Sequence, residues 1–197
     1  MVEDSGYYEA QDGNSALDEP VDRLAYDDTP VTQWHGGLDF GLLVLRIVLG
    51  ATLGVHGLQK VFGLFDGSGI DAFARILGDH GYTSQTTTLA WVGGVTEIGG
   101  GALLILGLLT PVAASALLAV AANAAYLTYG AGFFPQSVKG FDYYVVLAGI
   151  AFALLFTGPG RVSIDVNTPW RRRPAPFGLA FLILAAGAVA VLATAFR

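Results

Sequence analysis

The sequence predicts an all-α membrane protein with five transmembrane helices, and three observations carry that expectation. Hydrophobic residues make up 53% of the 197-residue chain and charged residues only 13%, with a mean hydropathy of +0.56; a soluble domain carries roughly 25% charged residues. Five apolar stretches follow one another, each near the ~20 residues that an α-helix needs to cross the hydrocarbon. Charge is also unevenly spread, because the first 37 residues hold nine Asp or Glu against the single basic Arg23. Without that segment the chain is mildly basic.

Residues 1–37 are acidic and poor in periodic apolar positions, a composition that cannot bury enough surface to fold alone, so a disordered tail is expected there. The N-terminus has neither a basic n-region nor an apolar h-region, which argues against a cleaved signal peptide and leaves insertion to the first span. That span is expected over Leu38 to Phe65 and the second over Leu89 to Leu109. The apolar tract from Leu89 to Tyr129 is 41 residues long, too long for one crossing. Thr110-Pro111 therefore marks a hairpin: the residue before a proline is pushed out of the helical region, and proline suits a helix's first turn. The fourth span covers Phe141 to Thr157 and stops at Gly158-Pro159-Gly160; the fifth covers Phe177 to Phe196. Between the first two, Ile70, Phe73, Ala74 and Leu77 recur at helical spacing and predict a short amphipathic helix over residues 70–79 at the membrane interface.

Orientation is read from basic residues near the span ends. Arg161, Arg171, Arg172 and Arg173 all lie between the fourth and fifth spans, where a basic loop over 167–176 is expected in the cytoplasm. The N-terminal tail then lies in the cytoplasm and the C-terminus outside. The same arginines favour anionic lipid headgroups by ~1 kcal/mol each.

An ionisable group at mid-bilayer costs at least ~2.5 to 3.5 kcal/mol, so each one implies a partner or a task. Thr52, His56, Gln59, Lys60 and Gly63 form one polar stripe on the first span, beside a second stripe of Arg46, Gly50, Gly54 and Gly57. Small residues at that spacing let helices approach closely. In the second span Glu97 is flanked by Gly93, Gly94, Gly100 and Gly101, so its carboxylate is expected to point at a neighbouring helix. Counting 1.5 Å per residue from the cytoplasmic side puts His56 roughly 24 Å, Lys60 roughly 30 Å and Glu97 roughly 18 Å deep, with Asn123 level with Glu97 and Arg46 roughly 9 Å in. The expectation is an outer-half cluster of His56, Gln59, Lys60, Glu97, Asn123, Tyr126 and Asp142, in which Glu97 pairs with Lys60 or protonated His56. Such a pair either serves a ligand or proton, or fixes helix register while Lys60 snorkels outward and Arg46 inward. Trp91 reads as an interfacial anchor.

Several chemistries are excluded by residue supply. The chain has no cysteine, so a disulfide or thiol redox step would need another molecule. Of His35, His56 and His80 only His56 falls in a span, too few for a bis-histidine haem or a structural zinc site. No metal site, phosphate loop, Ser-His-Asp constellation or nucleic-acid interface is expected.

The segment LRIVLG with Arg46, the unit His56-Gly57-x-x-Lys60, Gly81, the unit Glu97-x-x-Gly-Gly running on to LLILGLLTPVAA, and GPGRVSID from Gly158 to Asp165 occur in an order and spacing that resemble the DoxX-like family of small bacterial membrane proteins. The resemblance covers roughly residues 40 to 166. It implies a four-helix transmembrane bundle over 38–166, to which 177–197 adds a fifth helix, and it marks Arg46, His56, Lys60 and Glu97 as the family's polar set, with Asp142 where relatives often carry Glu. Some relatives are membrane subunits of oxidoreductases, including thiosulfate:quinone oxidoreductase. The expected role is therefore a quinone-interacting membrane subunit of an oxidoreductase complex in the bacterial plasma membrane, with the bilayer, a partner subunit and a second copy of the chain as candidate partners and a non-covalent quinone as candidate cofactor. The competing class is a non-enzymatic membrane scaffold or small-solute permeation protein.

Overall fold

The computed structural model describes residues 35–134 and 140–196, and every regular element among them is helical. The elements are α1 (Gly36–Phe62), α2 (Gly69–Asp79), α3 (Thr86–Leu106), α4 (Thr110–Thr128), α5 (Phe141–Thr157), a single turn α6 (Pro169–Arg172) and α7 (Pro174–Ala195). Helices α1, α3, α4 and α7 are long and apolar enough to span a bilayer; α5 is apolar but 17 residues long, about 26 Å at 1.5 Å per residue. The chain is a multi-pass membrane protein. Of the expected tail, residues 1–34 lie outside the described residues, while Gly36 and Gly37 already belong to α1.

Local chemistry sets the helix ends. The His35 side chain accepts a hydrogen bond from the Leu38 amide at the start of α1, and Gly63, at φ 66°, closes its end by donating to the Gln59 carbonyl. The hairpin between α3 and α4 sits at Gly107–Leu109, one turn earlier than Thr110-Pro111, with Gly107 at φ 63° and Pro111 in the first turn of α4. The basic loop also ends sooner than expected, because α6 and the start of α7 occupy 169–176. The amphipathic segment after α1 is the helix α2, which lays Ala74 and Leu77 against the bundle.

Helices α1 and α3 form the tightest crossing. A Cβ on Gly50 would lie 2.6 Å from the Gly101 carbonyl oxygen, and one on Gly57 would lie 2.7 Å from that of Gly94. Only glycines permit so close an approach. Gly100 instead faces Leu117 of α4, while Gly93 looks towards Phe73 of α2; a Cβ on Gly54 would meet nothing within 4 Å. Helix α4 is central, packing on α3, α5 and α7, and Leu49, Leu53, Leu104, Leu117, Leu154 and Leu155 fill the core between the helices. Helix α7, the expected fifth span, is thus a wall of the bundle.

Candidate functional site

Gly50 faces Gly101 and Gly57 faces Gly94, so the antiparallel register of α1 and α3 brings Glu97 level with Gly54. The Cα of Lys60 then stands about 9 Å further along, at 1.5 Å per residue. Side chains on a helix lean towards its N-terminus, and in an antiparallel pair those leanings converge. Lys60 reaches back along α1, Glu97 reaches the other way along α3, and Lys60 Nζ meets Glu97 Oε1 at 2.5 Å. The Lys60 ammonium also lies 4.8 Å from the centre of the Phe73 ring, a cation–π contact that α2 contributes. Glu97 is only 1% exposed, whereas Lys60 is 26% exposed.

Glu97 Oε2 has no hydrogen-bond partner among the described residues. A buried carboxylate oxygen left without a donor costs the desolvation of that atom. Both members of the pair line a cavity of about 510 Å³ whose other walls come from α2, α3, α4, α5 and α7. Its surface is mainly apolar, built from residues such as Phe73, Leu89, Val120 and Leu192; Asn123, Thr96 and Tyr144 add a few polar groups. Tyr82 joins it from the loop after α2 and donates to Asn123 Oδ1 at 2.9 Å.

The remaining predicted residues lie elsewhere. His56 is not the partner of Glu97: its Nδ1 pairs with Gln59 Oε1 and its Nε2 with the Tyr143 hydroxyl of α5, each at 2.9 Å. Gln59 also donates to the Phe65 carbonyl at 3.1 Å, which ties the end of α1 to the following loop. Tyr126 turns to the other side of α4 and lines a groove against α7 with Phe152 and Leu182. Asp142 is half-buried in the first turn of α5 and lines neither cavity. The structure therefore divides the expected seven-residue cluster into a Lys60–Glu97 pair on the cavity with Asn123, and a separate His56–Gln59–Tyr143 group between α1 and α5.

Arg46 does not snorkel to the interface. It is fully buried, because the Gly158 to Asp165 segment folds back over it and Val162 offers its carbonyl to Arg46 Nη2. The same segment is fastened twice more. Asp39 accepts from the Arg161 amide at 2.6 Å. Asp165 accepts from the amides of Leu109 and Thr110 at 3.1 and 2.8 Å and from the Thr110 hydroxyl at 2.9 Å. Asp165 thereby caps α4 from 55 residues away, an N-terminus that has no side-chain cap of its own. Arg161, Arg171, Arg172 and Arg173 gather at this end, where Arg171 Nε donates to the Val166 carbonyl at 2.5 Å.

Tyr82, Tyr143 and Asp165 are the residues that sequence reasoning passed over. Gly81 and GPGRVSID, two of the motifs it used, stand beside or contain two of them. Tyr143 carries no signal beyond a polar hydroxyl in an apolar span.

Residues 41–130 match the family model DoxX. The chain carries a DoxX domain. No curated protein matches it, and no solved structure does. The DoxX domain holds Arg46, His56, Lys60, Glu97 and Asn123, and with them both sides of the ion pair. Helices α5 and α7, with Tyr143, Tyr144, Ala188 and Leu192, lie beyond the match.

Proposed function

We propose that this DoxX protein is the membrane subunit of an oxidoreductase complex and binds a quinone at the Lys60–Glu97 end of the cavity. The observation that carries the reading is a buried carboxylate with one unpartnered oxygen on the wall of an apolar cavity of about 510 Å³, a size within the range of small-molecule sites. Lys60 spends one donor on Glu97 and has two more with which to hold a ring carbonyl. Glu97 can hold or release a proton at Oε2 beside that carbonyl. A bound quinone would supply two-electron, two-proton chemistry, with the electrons arriving from a partner subunit. The apolar walls would keep water from the site.

A purified protein that binds a quinone analogue, and loses most of that binding in Glu97→Gln, is the expected result; no binding, or binding indifferent to the substitution, sinks the proposal. The permeation alternative is less favoured, because leucines at most 2% exposed fill the bundle below the cavity and leave the polar groups no continuation.

The reading also includes an orientation. The arginine-rich end faces the cytoplasm by the positive-inside rule, which puts the C-terminus on the outer side of the bacterial plasma membrane. A reporter fused after Arg197 that is active only in the cytoplasm would overturn it.

A further inference from the structure

We infer that the cavity opens sideways into the hydrocarbon through a gap between α3 and α7, so that its occupant is an amphiphile dissolved in the bilayer with an apolar tail lying in that gap. The inference rests on the proposed ligand at Lys60 and Glu97 and specifies how that ligand arrives. Helix α4 packs on both α3 and α7, but among the described residues α3 and α7 make no extensive contact with each other away from the cluster at the α2 end. Between them they expose apolar rims: Val92 on α3 is 57% exposed, and Ala188 on α7 is exposed as well. Both residues line the cavity.

The end nearer the loops is better closed. There the Thr83 amide donates to the Phe196 carbonyl at 3.0 Å, and Leu192 and Phe196 pack against the cluster of Ala74, Leu77, Tyr82 and Ala90, the last of these on α3. Polar groups that would hold a headgroup lie on α1 and α3, at Lys60 and Glu97, while α7 contributes only Ala188 and Leu192. A molecule with a carbonyl or hydroxyl head and a long hydrocarbon tail matches that polarity gradient. A freely water-soluble solute would leave the apolar rim unused. The small side chain of Ala188 leaves the gap wide on the α7 side.

Two measurements test the inference, and both use the full chain in phospholipid vesicles. Because the chain has no cysteine, Ala188→Cys accepts a single nitroxide label. Relaxation of the label by oxygen, which concentrates in hydrocarbon, and not by a water-soluble nickel chelate is expected; equal relaxation by the chelate would place the opening in water and overturn the inference. Separately, Ala188→Trp is expected to weaken binding of an isoprenoid-tailed quinone analogue by about 10-fold or more, equivalent to ~1.4 kcal/mol, while a tail-less ring binds as before. Ile183→Trp, at a lipid-facing position lining neither cavity, controls for bulk. Unchanged binding of the tailed analogue by Ala188→Trp overturns the portal and leaves the quinone reading standing. If the native protein binds neither analogue, the quinone reading fails, and the nitroxide still reports whether the gap faces lipid.

Discussion

Removing either partner of the Lys60–Glu97 pair should have very different costs. Lys60→Met strands the Glu97 carboxylate at 1% exposure with neither of its oxygens paired; an uncompensated buried charge costs about 3 to 5 kcal/mol. Glu97→Leu leaves Lys60 with 26% exposure and the Phe73 ring at 4.8 Å, so the ammonium can extend towards the interface. That loss should stay near 2 kcal/mol, the worth of one charge-assisted hydrogen bond. Lys60→Met combined with Glu97→Leu removes both charges and should return to within about 1 kcal/mol of the native protein. The coupling between the sites then amounts to several kcal/mol, far above what independent positions show. Reversible unfolding in mixed detergent micelles, read by helical circular dichroism, measures all four corners of the cycle. Simple additivity, or Glu97→Leu costing more than Lys60→Met, would refute the assignment of Glu97 as the buried and dependent member. Quinone-analogue binding adds the functional arm: a double variant as stable as the native protein that has lost its binding separates the ligand role from helix registration.

Two further perturbations probe the scaffold. Asp165→Ala removes the acceptor for the Leu109 and Thr110 amides and the Thr110 hydroxyl, so a loss of about 2 to 4 kcal/mol is expected, with easier proteolysis of residues 158–168; Asp165→Asn, which keeps one acceptor oxygen, should lose clearly less, and equal losses would contradict the capping role. Gly101→Ala places a Cβ 2.5 Å from the Gly50 carbonyl oxygen and should cost about 1 to 3 kcal/mol of overpacking. Gly54→Ala on the opposing helix meets nothing within 4 Å and should be neutral or gain up to ~1 kcal/mol of helix propensity; matching losses in thermal unfolding would show the α1–α3 crossing to be drawn incorrectly.

The features legible in the sequence are those that one helix carries alone. Apolar length locates the spans, the Ile70, Phe73, Ala74 and Leu77 spacing locates α2, and the glycine runs identify α1 and α3 as close-packing helices. The polar stripe of α1 was legible too, but its destinations were not: His56 and Lys60, one turn apart, go to different helices. Depth counting set both against Glu97 because it treats side chains as level with their own Cα atoms. The lean of each side chain towards its helix N-terminus makes Lys60 the one that arrives.

By itself the sequence determined that the chain enters a membrane as helices, where they begin and end to within a turn or a few residues, and which residues are too costly to leave unpartnered in lipid. These follow from hydropathy, turn chemistry and a period of 3.6 residues, all of which act over a few neighbours. Only the tertiary structure decided the partners. It folded 158–165 over Arg46, sent Asp165 to cap α4, joined Tyr143 to His56 and used α7 as a cavity wall. Each of these links residues at least 50 positions apart, and their pairing depends on the register and rotation of packed helices, which no single helix encodes.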